Sequence, residues 1–206
     1  NFINNVSFAE DTSDIILVSA TDVVSEDLFY SCIPQGDNID CIINSNEITF
    51  SAIENYNGIE SVIIKVEDIQ GGEDTQTVQI TVNPSNDPPI LDNIQNVVFL
   101  EDESEIINVS GSDIDGDNLS YACNPGINIL CNIIGNQITI TANENYNGNE
   151  SIQIIVQDGN GGSDTEDVNV TVTPVNDAPE LNFISNISFQ EDESEILNLN
   201  AVDVEN

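Results

Sequence analysis

Hydrophobic and polar residues alternate with a period of two along most of this chain. Ile48, Phe50 and Ala52 recur at every second position, Val62, Ile64 and Val66 do the same and run into Asp68, and Val78, Ile80 and Val82 follow. The pattern returns at Ile138, Ile140 and Ala142, at Ile152, Ile154 and Val156, and at Val168, Val170 and Val172. Successive side chains of a strand point to opposite faces, so the pattern predicts strands with one buried and one solvated face. No stretch carries the 3.6-residue period of an amphipathic helix. Asn57-Gly58 and Asn147-Gly148 suit turn positions with positive φ, and Gly71-Gly72 and Gly161-Gly162 read as hairpin turns between the last two strands. About seven strands in about 90 residues predicts a β-sandwich. A β-helix is disfavoured because its repeats are much shorter.

The segments FAEDTSDIILVSATD, FLEDESEIINVSGSD and FQEDESEILNLNAVD align from Phe8, Phe99 and Phe189, at offsets of 91 and then 90 residues. The match continues downstream, where NEITFSAIENYNGIESVIIKVED parallels NQITITANENYNGNESIQIIVQD, and PSNDPPIL parallels PVNDAPEL. Such self-similarity marks an array. It predicts one repeat over residues 1–87, a second over 88–177, and the opening of a third over 178–206. That third piece is too short to bury a core of its own, which predicts that the parent chain continues. Asn1 in place of a Met, without a signal-peptide pattern, predicts a mature product or a section of something longer.

Cys32 with Cys41, and Cys123 with Cys131, recur at one place in each repeat. Each pair falls at the end of one short strand and the start of the next, so a cross-strand disulfide is the economical expectation. In the loop-entropy description each would contribute about 2.5 kcal/mol, and both imply an oxidising compartment and hence secretion. A zinc site fails for want of ligands: two cysteines per repeat and no histidine do not supply four soft donors.

Composition sharpens the picture. Hydrophobic residues make up 39% of the 206, enough for cores, so the chain is not a disordered acidic tail. No apolar run approaches the roughly 18 residues of a membrane span. Thirty-eight Asp and Glu face a single basic residue, Lys65, for a net charge of −37. That surface repels nucleic acid and anionic membranes. Two explanations stand side by side: an acidic surface kept hydrated in salt, and carboxylates that ligate metal.

Three motifs give the chain its resemblance. They are the linkers Asn86-Asp87-Pro88-Pro89 and Asn176-Asp177-Ala178-Pro179, the stretch Asp113-Ile114-Asp115-Gly116-Asp117 leading to Tyr121, and Val156-Gln157-Asp158-Gly159. In that order they resemble the cadherin-like repeats found in tandem in large bacterial surface proteins. The resemblance covers nearly the whole chain. It implies an all-β fold of tandem seven-stranded Greek-key sandwiches, cadherin or immunoglobulin-like, with Ca²⁺ at each junction between repeats. Carried over residue by residue, it implies Glu10, Glu54, Asn86, Asp87, Asp113, Asp115 and Asp158 as ligands at the first junction. At the second it implies Glu101, Glu144, Asn176, Asp177 and Asp203, with Glu205 in the second slot of the Asp-x-Asp pair. Calcium takes six to eight oxygens, and no single segment here supplies them. An EF-hand fails, since Gly116 falls at the fourth place and Asn124 where the closing Glu belongs; an Asp-Gly turn is the plain alternative for this stretch.

The chain also departs from the family. Pro84 and Pro174 replace the Asp that opens the linker motif, Glu-Asn-Tyr-Asn-Gly replaces Asp-Arg-Glu, and the first repeat has Asp22-Val23-Val24 where the second has its Asp-x-Asp pair. A site below the first repeat is therefore expected to be weak or absent.

The expected function is a calcium-stiffened extracellular array, the stalk of an adhesin or the body of a surface filament. Its partners are neighbouring repeats of the same chain, with self-association into a filament as an extension. The alternative is an adhesion module that grips a protein or glycan through loops or strand edges. An enzyme is disfavoured: His and Arg are absent, and no carboxylate pair is marked out as in a glycosidase cleft. Six Asn-x-Ser/Thr sequons, at Asn5, Asn108, Asn118, Asn149, Asn169 and Asn186, permit glycosylation without arguing for it.

Overall fold

The computed structural model describes residues 2–23 and 27–204. These divide into two compact units, residues 1–86 and 87–206. Asp87 groups with the second unit, where its N–H donates to Asp115 Oδ2 at 2.8 Å.

The first unit contains β1 (Val6–Ala9), β2 (Ser13–Leu17), β3 (Leu28–Pro34), β4 (Ile39–Asn44), β5 (Glu47–Ala52), β6 (Gly58–Asp68) and β7 (Glu73–Asn83). One sheet has the order β1-β7-β6-β3 and the other β2-β5-β4. The chain changes sheet after β1, β2, β3 and β5, which is the Greek-key winding of a sandwich. β1 and β7 pair in parallel and the other neighbours antiparallel.

The second unit repeats this arrangement with β8 (Ile90–Leu91), β9 (Val97–Leu100), β10 (Ser104–Asn108), β11 (Gly111–Ser112), β12 (Ser120–Asn124), β13 (Ile129–Ile134), β14 (Gln137–Ala142), β15 (Gly148–Gln157) and β16 (Ser163–Thr173). Its sheets are β12-β15-β16-β9 and β10-β14-β13, with a two-residue ladder between β8 and β11. The same ladder reappears as β17 (Glu180–Leu181) against β18 (Ala201–Val202), so residues 178–204 repeat the opening of a sandwich.

The alternation read from the sequence builds both cores. Ile48, Phe50, Val62, Val78 and Ile80 are fully buried in the first unit, as are Ile138, Ile140, Ile154, Val156 and Val170 in the second. The hairpins fall where the glycine pairs stand, with Gly71 at φ 87° and Gly161 at φ 117°. Outward Asn, inward apolar and outward Ser or Thr is also what a half-buried strand produces: Asn169 is exposed, Val170 buried and Thr171 half-buried. That alternation accounts for a sequon there without any sugar.

Cys32–Cys41 and Cys123–Cys131 are disulfides. Each joins the edge strand of the four-stranded sheet (β3 or β12) to the edge strand of the three-stranded sheet (β4 or β13). The bonds staple the two layers along one side. In antibody-type domains the disulfide crosses the centre of the sandwich instead.

Candidate metal centre

In each sandwich the period-two pattern runs on past the core and delivers carboxylates to both ends. Val97 and Phe99 are buried on β9, and the next inward position is Glu101, 3% exposed. Ile152, Ile154 and Val156 are buried on β15, and the next inward position is Asp158, 5% exposed. Because β9 and β15 run in opposite directions, each antiparallel or parallel to β16, Glu101 sits at the end where the unit's last strand leaves. Asp158 sits at the end where the unit begins. Glu10, 2% exposed, follows Val6 and Phe8 in the same way.

At the exit end these glutamates hold the start of the linker. Glu10 accepts the Ser85 N–H at 2.5 Å and the Asn57 amide at 3.3 Å. Glu101 accepts the Val175 N–H at 2.5 Å and the Asn147 amide at 3.2 Å. The residues that follow are Asn86 and Asn176; Asn176 donates to the Asp177 carbonyl at 2.7 Å. Glu54 and Glu144 are exposed in the neighbouring loops.

Those loops carry the Glu-Asn-Tyr-Asn-Gly motif, which has a structural task. Asn55 and Asn145 adopt left-handed φ of 58° and 57°. Gly148 lies under Tyr146, whose hydroxyl would stand 3.0 Å from any Cβ there. Glu150 then accepts N–H groups from Asn128 and Ile129. Chiefly the Asn128 N–H, helped by the Asn128 amide, holds the Glu150 carboxyl below its ordinary value, while burial raises the Tyr146 hydroxyl.

The entry end of the second unit gathers the acids. Asp158 caps the β15–β16 hairpin, its Oδ1 accepting the Asn160, Gly161 and Gly162 N–H groups at 2.7, 2.9 and 3.0 Å. Asp113 follows β11 and folds its own loop, accepting the Asp115 and Asp117 N–H groups at 2.9 and 3.2 Å. This loop brings Asp113 and Asp117 to Asp158, with one carboxylate oxygen from each within 4.8 Å of the others. Asn160 donates to Asp117 at 2.6 Å. Asp115 turns to the linker and takes the Asp87 N–H. Asp203 follows β18 as Asp113 follows β11, while Glu205 lies outside the described residues.

Three clustered carboxylates repel one another unless a cation or a proton intervenes. Lys65, the chain's one basic residue, is in the first unit and paired with Glu67 and Glu73. Asp113 Oδ2 is buried and receives no hydrogen bond among the described residues. An acceptor left bare in this way costs about 1–3 kcal/mol. An all-oxygen set suits a hard cation such as Ca²⁺, and with the cysteines in disulfides it does not suit zinc. The residues present therefore fit the ion that the resemblance implies.

Two of the expected ligands, Asp113 and Asp158, meet in this trio, and Asp115 and Asp87 meet beside it. Asp117 was not among the expected ligands. Its signal was the third acid of Asp113-x-Asp115-Gly116-Asp117, which an Asx-folded loop turns inward.

The family model of the bacterial Ig domain matches residues 3–81 and again residues 86–171. Among solved structures, human protocadherin-24 EC1-2 aligns at a TM-score of 0.53 and 14% identity, covering 84% of this chain and 95% of that one. Extracellular cadherin domains 3–6 of protocadherin gamma B2 align at 0.50 and 15% identity, covering 98% of this chain and 54% of that one. This chain thus spans about half the length of the gamma B2 fragment, and at such identities the likeness is one of fold. No curated protein sequence matches significantly. With two consecutive domain matches over most of its length, the chain belongs to the bacterial Ig domain family.

Proposed function

We propose that this chain is a section of a calcium-stiffened extracellular array, the stalk of an adhesin or the body of a surface filament. The observation that carries this is the Asp113–Asp117–Asp158 trio with the bare Asp113 Oδ2. In this proposal Asp87, Asp113, Asp115, Asp117 and Asp158 bind Ca²⁺ together with Glu10, Glu54 and Asn86 of the preceding repeat. Glu101, Glu144, Asn176, Asp177, Asp203 and Glu205 form the equivalent set one repeat on. The ion supplies positive charge where carboxylates otherwise repel. The residues do the rest: Glu10 anchors the linker at Ser85, and Pro84, Pro88 and Pro89 restrict its backbone.

The disulfides support an oxidising compartment. Among the described residues no helix is long and apolar enough to cross a membrane. The similarity of successive repeats supports spacing more than recognition.

The test is X-ray scattering of the chain in millimolar Ca²⁺ and in EDTA, for wild type and for Asp113→Asn/Asp158→Asn. The expected result is a longer, narrower distance distribution in Ca²⁺ that the double variant loses. Identical curves for wild type in the two buffers would refute the stiffening role.

A further inference from the structure

The ladder between β8 and β11 ends abruptly. The Asp92 N–H still donates to the Ser110 carbonyl at 2.9 Å, and the chain then leaves this edge and crosses to pair as β9 with β16 in the other sheet. β10 is left as the outer strand of β10-β14-β13. The Val109 N–H bonds the Asn136 carbonyl on the β14 side. Alternation therefore turns the backbone groups of Glu105 and Ile107 toward β14 and those of Ser104, Ile106 and Asn108 toward the open edge. Beside that edge lies a groove of about 520 Å³. Buried Val97 and Val109 form its floor with half-buried Ile94 and Ile107, and exposed Asp92 and Glu105 stand on its rim.

The first unit has the same groove, smaller at about 340 Å³. Its edge strand β2 differs at one outward N–H. The outward N–H of Ile15 on β2 is taken by the carboxylate of Asp14 at 2.8 Å. Glu105 replaces Asp14 in the second unit, and its longer side chain does not fold back onto the next N–H.

We propose that the β10 edge and its groove bind an extended segment of a partner protein by strand addition, and that the segment alternates apolar and basic residues. Exposed edges with unpaired N–H and C=O groups template such pairing. The apolar floor takes every second side chain of an added strand. The acidic rim, on a chain of net charge −37, selects lysine or arginine at the positions between. A second copy of this chain is a poor occupant, because it carries the same charge and one basic residue.

The probe is a blocked heptapeptide of alternating valine and lysine, titrated into the intact chain in Ca²⁺ buffer and followed by calorimetry and amide NMR. Saturable binding is expected, with shifts and slowed exchange centred on Ser104, Ile106 and Asn108. A valine–glutamate peptide is expected not to bind. Ile106→Pro removes an outward donor and should weaken binding more than tenfold, whereas Ile15→Pro should leave it unchanged. Glu105→Asp restores the cap seen in the first unit and should weaken binding severalfold; it decides the matter if Ile106→Pro does not fold. Absence of saturable binding, shifts spread evenly over both units, or wild-type affinity in Glu105→Asp would each overturn the proposal.

Discussion

The two repeats share a sandwich and differ at its entry end. In the second, an Asp-rich loop folds through Asx hydrogen bonds onto Asp158 and assembles three carboxylates. In the first, Asp68 caps the equivalent hairpin through the Gln70 and Gly72 N–H groups at 2.7 and 2.9 Å, but the loop that would bring partners reads Asp22-Val23-Val24. Among the described residues, no acid cluster accompanies this hairpin cap. The core needs inward apolar side chains on seven strands, and the loops at its ends are free to change without touching that pattern. One architecture can therefore carry different loops at the same end in successive copies.

The comparison can be broken first through the cores, which should behave alike. Phe50→Ala and Ile140→Ala truncate equivalent, fully buried positions. Each should cost about 2–5 kcal/mol and lower one calorimetric transition only. Loss of both transitions from either substitution would show that the units do not fold independently.

Chelation should then separate them. Calcium at a hundredfold over its dissociation constant stabilises by about 2.7 kcal/mol, and each kcal/mol moves a domain of this size by about 4–8 °C. In EDTA the second unit's transition should fall by roughly 10–20 °C, and the first unit's by less. Equal shifts would erase the difference between the entry ends.

Of similar size but symmetric is the effect of the disulfides. Cys32→Ser/Cys41→Ser and Cys123→Ser/Cys131→Ser should each destabilise their own unit by about 2.5 kcal/mol in urea titrations. A markedly larger loss in one unit would show that its disulfide supports more than the joined sheet edges.

The smallest effect is a pH dependence. Native Glu150 titrates below its ordinary value because of the Asn128 N–H. Its contribution is therefore fully present above the unfolded value of about 4.3 and fades as pH falls from there through the native value. Glu150→Gln should flatten that part of the second unit's stability profile in acid melts. An unchanged profile would remove Glu150 from the account.

Much of this was legible in the sequence, for local reasons. Val62, Ile64 and Val66 alternate because one strand has two faces, and no distant residue is needed to see it. Cys123 and Cys131 are close enough along the chain to predict a bond. That the bond ties one sheet's edge to the other's was not legible, because sheet order depends on pairings across the whole repeat. In the sequence the Glu-Asn-Tyr-Asn-Gly motif stands only as a departure from the family. Its use, a tyrosine folded over Gly148 with Glu150 beside it, needed the packed loop.

By itself the sequence determined the strands, the repeat, the cysteine partners and the acids placed at the ends of inward-facing patterns, since alternation and spacing act over a few residues. The tertiary structure decided which acids meet. Asp117 joins Asp113 and Asp158 while Asp115 turns to Asp87. It also placed β2 and β10 at sheet edges, where Asp14 takes one outward N–H of β2. The physical reason is that Asp158 with Asp113, Asp87 with Asp115, and the strands that set each sheet edge lie far apart in the chain, and only the winding of the sandwich brings them within reach of one another.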